Sequence, residues 1–368
     1  MKLGVITTSY PRFPGDAAGN FVAGHVAALR ALGHDVEVIA AGDPGAAAPG
    51  TAPGTADLAP LAVGARLFYR GGAPDALERA PVRAGVAAAV FTARLTARVA
   101  ARARRWDAII AHWLVPSAIA AVPSAPPLVA IAHGGDVFTL RRLRLLGPVL
   151  AALRRRAARL VFVGEHLRAI ARAAAPAHAA WLDAAQIQPM GIDTARFAAL
   201  ARAPGDPPTV LVVARLVPIK GVDVAIAAMR HVRGPARLVI AGDGPERARL
   251  AALPGAHALV GEVTTDRRDD LLRAASVVVV PSRVIASGRT EGTPAIALEA
   301  LAAGVPVVAS AVGGLRELPG LRLVAPDDPA ALGHAIEEVL AAPPGAAALR
   351  AAVAHLDWRE VALRLLRE

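Results

Sequence analysis

Short apolar runs alternate with stretches of helical periodicity from one end of the chain to the other. In the first half the runs fall at residues 3–7, 36–40, 108–111, 128–132 and 160–163, and in the second at 209–213, 237–241, 258–260, 277–280 and 305–309. Most are apolar at nearly every position rather than at alternate ones, the pattern of strands covered on both faces. Residues 20–32 make the clearest helix: Phe21, Val22, His25, Val26, Leu29 and Leu32 share one face, and Gly33 ends it. Alternation of this kind builds parallel α/β sheets, so the pattern predicts two doubly wound domains. A run of Ala, Arg, Gly, Asp and Pro at 198–208 separates the two series. The predicted units are residues 1–197, residues 198–352 and a closing helical segment, 353–368, which carries Trp358 and packs back on the first unit. Low-complexity residues 41–60 read as a mobile surface loop. Ligands of doubly wound sheets bind beyond the carboxyl ends of the strands, so the expected site is a central cleft that both domains face.

Composition narrows the chemistry. Among 368 residues 55% are hydrophobic and only 4% aromatic, so the core is aliphatic. With no cysteine there is no disulfide, thiolate nucleophile or cysteine-held metal, which fits a reducing compartment. Apolar residues 3–6 after Lys2 are too few for a signal-peptide core, and Pro116, Pro123, Pro126 and Pro127 interrupt the uncharged stretch 108–135, so neither reads as a membrane span and the expected location is cytoplasmic. The net charge is +11, and 39 of the 41 basic residues are arginine, as codon bias toward G and C would produce. That bias does not explain the distribution. Residues 1–197 hold 22 basic and 12 acidic side chains, whereas 198–368 hold 19 and 18. A basic face on the first half follows.

Candidate chemistry concentrates in residues 288–314, GRTEGTPAIALEALAAGVPVVASAVGG. Thr293 and Pro294 predict a helix start with a hydroxyl cap and a proline at the first helical position; Gly304 and Pro306 stop it. Glu291 then sits in the preceding loop, and Glu299, five residues after Pro294, lies about 7 to 8 Å along the axis from it. The free amides of a helix N-terminus between them suit a phosphate, although a capped surface helix with two solvated glutamates has the same spacing. Near the end of the strand at 210–213 come Arg215 and Lys220, two cations able to neutralise a diphosphate. Lys220 is one of only two lysines, and an exposed lysine near a helix start is the plainer reading. Gly242-Asp243-Gly244-Pro245 lacks the third glycine of a dinucleotide fingerprint and reads as a turn. His112, at a strand end, is as well suited to a structural role as to the site. The ten histidines include no His-x-x-x-His pair, so no metal is predicted.

Together these residues resemble glycosyltransferase family 4 over nearly the whole chain. The family's two glutamates seven residues apart match Glu291 and Glu299, its Arg and Lys pair matches Arg215 and Lys220, its glycine-rich loop after the first strand looks like residues 15–20, and its histidine before glycine looks like His133-Gly134-Gly135-Asp136. The resemblance implies the GT-B fold, two Rossmann-like domains, and sugar transfer with retention from a nucleotide diphosphate sugar to a hydroxyl of a glycan or lipid-linked acceptor, without a metal or other cofactor. It implies that Arg215 and Lys220 hold the diphosphate, Glu299 the ribose, and Glu291 the transferred sugar with backbone amides around Gly292 and Thr293. Gly19 would let the N-terminus of the first helix approach the phosphates, His133 would face the sugar, and Asn20 and Asp136 would be among the substrate-binding residues. A nucleotide-sugar binding or regulatory protein without transfer activity would keep the same donor residues.

The arginines at 141, 142, 144, 154, 155, 156 and 159 flank leucines at helical spacing. They fit a face resting on anionic lipid at the inner side of the membrane, or a solvated face. Nucleic acid fits poorly, because interleaved aromatics are absent.

Overall fold

The computed structural model describes residues 1–13, 16, 18–42, 58–69 and 73–367. The chain forms two compact units, Met1–Gly191 with Trp358–Glu368, and Ile192–Asp357. The first is built on β1 (Lys2–Ile6), β2 (Asp35–Gly42), β3 (Leu58–Gly64), β4 (Ala108–His112), β5 (Leu128–Ala132), β6 (Arg159–Phe162) and β7 (Gln186–Ile187). Their order is β3-β2-β1-β4-β5-β6-β7, parallel throughout. The second is built on β8 (Thr209–Val213), β9 (Arg237–Ala241), β10 (His257–Gly261), β11 (Ala275–Val280), β12 (Val307–Ser310) and β13 (Leu321–Val324), in the parallel order β10-β9-β8-β11-β12-β13.

Each of the ten apolar runs overlaps a strand. The strands that periodicity missed, β3, β7 and β13, are all at sheet edges. An edge strand is covered less completely, so its sequence is not held to a continuous apolar run; β13 reads Leu-Arg-Leu-Val, and β7 is two residues long. β3 also takes the end of the expected loop at 41–60, and residues 43–57 lie outside the described residues.

Aliphatic side chains fill both cores. Leu3, Ile6, Ile39, Ile109, Ile110 and Ile131 are fully buried in the first, each contributing about 1.5–3 kcal/mol. The helix Asn20–Ala31 lays Val22, His25, Val26 and Leu29 on this sheet. The closing helix, Trp358–Leu366, buries Trp358, Val361, Ala362 and Leu365 in the same core. Gly24 and Gly191 form the slot for its indole: a Cβ at either would stand 2.3 or 2.4 Å from the ring.

The observed division precedes the Ala/Pro-rich run at 198–208, because that run is tied to the second unit. Phe197 is in the second core, Arg196 contacts Asp269 at 2.5 Å, and the Arg202 guanidinium donates to the carbonyls of Gly304 and Ala275 at 2.5 and 2.6 Å. Beside the division the Ile192 amide donates to the Leu356 carbonyl at 2.8 Å, and the Thr194 hydroxyl to the Asp357 carboxylate at 2.6 Å.

The uncharged stretch at 108–135 folds as β4, one irregular helical segment and β5. Among the described residues the helix long and apolar enough to cross a bilayer by length and composition is another, Pro81–Arg105. Its Ala84, Phe91, Leu95 and Val99 face the core, while Val82, Val86 and Val90 are 79%, 61% and 45% exposed.

Candidate active site

In a doubly wound sheet the loops splay where strand order reverses, here at β1/β4 in the first unit and β8/β11 in the second. The predicted residues lie beyond the carboxyl ends of these strands and of β5.

In the first unit His112 ends β4 and His133 follows β5. Nδ1 of His112 is 3.0 Å from Nε2 of His133, and Nε2 of His112 is 3.1 Å from Nδ1 of His25 on the Asn20–Ala31 helix. Phe21 and Trp113 close on His133, with ring centroids 5.2 and 4.8 Å away. Burial pushes the His25 imidazolium pKa down to about 4; burial and then repulsion from His25 take His133 to about 3, and burial, then His133 and His25, hold His112 well below the ordinary value. All three rings are neutral near pH 7. Sequence reasoning left His112 undecided, placed His25 on one face of a helix and assigned Trp113 no role. The signal for Trp113 is conformational: its φ of 72° places a bulky residue in the left-handed region, a strained backbone of the kind that collects at functional sites.

Gly19, the residue before this helix, has φ 71°, and a Cβ there would come within 2.5 Å of the Ser9 carbonyl, so a glycine is needed for the loop after β1 to meet the helix N-terminus. Asn20 opens the helix and is partly buried. Gly15 and Ala17 of the glycine-rich loop lie outside the described residues.

Asp136 is engaged by backbone amides. Its carboxylate is directed inward: Oδ2 accepts from the Leu114 amide at 2.7 Å, and Oδ1 from the amides of His133, Gly134 and Val137 at 3.2, 3.0 and 2.9 Å. It ties the loop after β4 to the loop after β5, so its contribution is to the placement of His133. The predicted arginine face is also partly spent on the fold. Arg156 holds the carbonyls of Ser124, Ala125 and Pro126, Arg154 contacts His178, Arg142 pairs with Glu78 at 3.4 Å, and Arg159 donates to the Arg367 carbonyl.

In the second unit the predicted diphosphate cation and the predicted sugar ligand meet each other. Lys220 Nζ contacts Glu291 Oε2, and the Ser282 hydroxyl donates to the same oxygen at 3.1 Å. Burial opposes ionisation of Glu291, but the Lys220 ammonium, the hydrogen bonds from Lys220 and Ser282, and the Gly292 amide outweigh it and hold the carboxyl below its usual range. Gly221, at φ 58°, lets this loop touch the Pro281 carbonyl, where a Cβ would approach to 2.0 Å. Arg215 is exposed between β8 and the turn Pro218–Lys220.

The helix after Glu291 runs Ala295–Ala302, with Pro294 at its N-cap and extended (φ −69°, ψ 126°). Pro294 is therefore not the first helical residue, and Thr293 does not cap. Pro294 makes no side-chain cap, the Ala297 amide donates to its carbonyl at 3.1 Å, and the Gly292–Thr293 backbone leads directly into that end of the helix. Glu299, on the same helix, is not part of the Lys220 contact; it pairs with Arg268 at 3.0 Å. Burial raises its pKa, against the attraction of Arg268 and Arg196, with nearby Asp269 adding to the rise. Ser282 and Arg268, which hold the two glutamates, carried no sequence signal because each comes from a different element.

Models of two families cover most of the chain, "Glycosyltransferase Family 4" over residues 18–196 and "Glycosyl transferases group 1" over residues 207–342. The chain belongs to glycosyltransferase family 4. Among curated relatives of this family 4 member, D-inositol 3-phosphate glycosyltransferase of Acidothermus cellulolyticus is 36% identical over 203 residues, 47% of this chain and 44% of that protein. GDP-mannose-dependent alpha-(1-6)-phosphatidylinositol monomannoside mannosyltransferase of Mycobacterium tuberculosis is 38% identical over 150 residues, 35% of this chain and 38% of that protein. The alignments thus span less than half of these two relatives' length. Sucrose-phosphate synthase from Thermosynechococcus elongatus superposes with a TM-score of 0.71 at 23% identity, over 99% of this chain and 97% of that one. Anabaena HepE in complex with UDP-glucose gives 0.68 at 18%, over 99% and 98%. The family 4 chain has the two-domain GT-B fold.

Proposed function

We propose that this family 4 protein transfers a sugar from a nucleotide diphosphate sugar to a hydroxyl of a glycan or lipid-linked acceptor in cell-envelope or polysaccharide synthesis, with retention and without a metal. The observation that carries the reading is the Lys220–Glu291 contact, set beyond β8 and β11 and followed directly by the N-terminus of the Ala295–Ala302 helix, whose N-cap residue makes no side-chain cap. A diphosphate takes the Arg215 and Lys220 cations and the helix amides, Glu299 holds ribose hydroxyls, and Glu291 with the Gly292 and Thr293 backbone holds the sugar. Gly19 and Asn20 serve the phosphate side of the first unit, and His133 faces the sugar. The bond from the anomeric carbon to the diphosphate breaks while the acceptor oxygen bonds on the same face, and the acceptor proton passes to the leaving phosphate. Lys220 and Arg215 stabilise the charge that develops there.

A cytoplasmic protein resting on the inner membrane surface suits a lipid-linked acceptor. Support comes from the helix Pro81–Arg102, which exposes Val82, Val86 and Val90, and from the chain between Glu78 and Asp107, which has seven arginines and no acidic residue. Each arginine near an anionic surface adds about 1 kcal/mol.

The test is thermal shift with UDP-glucose, UDP-N-acetylglucosamine, UDP-galactose and GDP-mannose, followed by transfer from the labelled donor that binds to a lipid extract and a glycan panel. A donor at 100 times its Kd stabilises the folded form by about 2.7 kcal/mol. Product with retained anomeric configuration supports the proposal. Tight donor binding without product across the panel would identify a nucleotide-sugar binding module instead, and no binding of any donor would remove both readings.

A further inference from the structure

His25, His112 and His133 of the first unit are strung nitrogen to nitrogen, and the string has two different ends. His25 and His112 are fully buried, and His133 is partly buried. At the inner end Nε2 of His25 is buried without a hydrogen-bond partner, and Trp358 stacks over the ring at 5.6 Å and 8°. At the outer end, among the described residues, Nδ1 of His133 has no partner within the chain. No group of histidine, aspartate or glutamate side chains among the described residues is arranged to hold a metal ion.

A neutral imidazole has one N–H and one lone pair, so each nitrogen contact needs one proton and the two contacts must point the same way. If His112 carries its proton on Nε2, His133 donates inward, its Nδ1 is a bare acceptor, and His25 must keep an N–H on its buried, unpartnered Nε2. If His112 carries its proton on Nδ1, His25 donates to His112, His112 donates to His133, and the remaining proton is on Nδ1 of His133. The second arrangement leaves only a lone pair at the buried end, whereas orphaned buried N–H groups are rare. Nε2 of His25 is itself shut off from solvent water that could otherwise rescue the first arrangement, and Trp358, seated in the slot made by Gly24 and Gly191, covers the face of the ring.

We propose that His25 and His112 are positioning residues that hold His133 in the Nδ1–H form, so that His133 offers a hydrogen-bond donor to a hydroxyl of the transferred sugar. The sugar contact rests on the reading of His133 given above; the proton arrangement does not. Isolated histidine in water favours the Nε2–H form, so the string has to oppose an intrinsic preference. Loss of His112 releases His133 to the other tautomer, although the His133 side chain itself is untouched.

The experiment is 15N NMR of the full-length protein with labelled histidine rings at pH 7.5, with His133 assigned by comparison with His133→Phe. The expected result is an N–H-type Nδ1 and a lone-pair-type Nε2 for His133 in the parent protein. His112→Phe should shift this toward Nε2–H, and His112→Asn, whose amide can donate from the Nδ1 position, should restore it. If His112→Phe does not fold, His25→Phe with the same readout replaces it. A lone-pair-type Nδ1 in the parent, or a tautomer unchanged by both variants, overturns the proposal. Kinetics then test the sugar contact separately. His112→Phe should lower kcat/KM about tenfold, the scale of one hydrogen bond, and His112→Asn should recover it. A changed tautomer with unchanged kcat/KM would refute the donor role of His133 and leave the proton arrangement standing.

Discussion

Replacing Lys220 by Ala tests the electrostatics of the second unit most directly. In the parent the Lys220 and Glu291 side chains are 23% and 13% exposed, and their contact shares one carboxylate oxygen with the Ser282 hydroxyl. Lys220→Ala leaves a largely buried carboxylate with the Ser282 hydroxyl and the Gly292 amide alone. Breaking a fully buried pair costs about 3–5 kcal/mol, and the partial access of water here reduces that to about 2–3 kcal/mol. For a unit of this size each kcal/mol moves the melting temperature by about 2–4 °C, so the loss at pH 7.5 is about 4–12 °C. The pH dependence distinguishes this cause from lost packing. The folded-state pKa of Glu291 is depressed in the parent, so its contribution is present above the unfolded carboxylate pKa of about 4.3 and is lost as pH falls through the lower folded value. In the variant burial dominates and the folded pKa lies above the unfolded one, so protonation relieves the penalty as pH falls. The deficit of the variant should therefore narrow as pH falls toward 4. Calorimetry at pH 7.5 and 4.0 reads this out, with the neutral pair Lys220→Met/Glu291→Gln expected to recover most of the loss at pH 7.5. An equal deficit at both pH values, or no deficit at pH 7.5, would refute the ion-pair account of this loop.

Trp358→Ala should cost about 3–5 kcal/mol, because it empties the indole slot between Gly24 and Gly191, and limited proteolysis should then release the closing helix. Val86→Glu, at a 61% exposed position, should leave the melting temperature unchanged while abolishing sedimentation with vesicles containing anionic lipid; unchanged sedimentation would remove the membrane reading. Glu299 has a raised folded pKa, so the stability it contributes is present below the unfolded value and declines as pH rises through the folded one; Glu299→Gln should gain on the parent in chemical denaturation as pH rises above the unfolded carboxylate value of about 4.3.

What the sequence determined by itself follows from local rules. A strand covered on both faces must be apolar throughout, and a helix must start and stop, so the central strands of both sheets, the Asn20–Ala31 helix and the placement of Glu291 before a helix and Glu299 within it were legible. Edge strands β3, β7 and β13 were not, because a half-covered strand carries no such constraint. Residues 198–208 look like a linker in composition, yet Arg202 reaches two carbonyls far along the chain and fixes them to the second unit, a contact no local pattern announces. The same holds for the candidate site. Lys220 and Glu291, 71 residues apart in sequence, were recognisable as individuals; that each neutralises the other depends on β8 and β11 lying side by side. His25, His112 and His133 come from a helix and two strand ends, and Trp358 reaches His25 only because the chain returns to its first unit. Sequence spacing encodes neighbours along one element, whereas hydrogen-bond partners and burial, which set the protonation of these groups, are decided by what tertiary packing brings beside them.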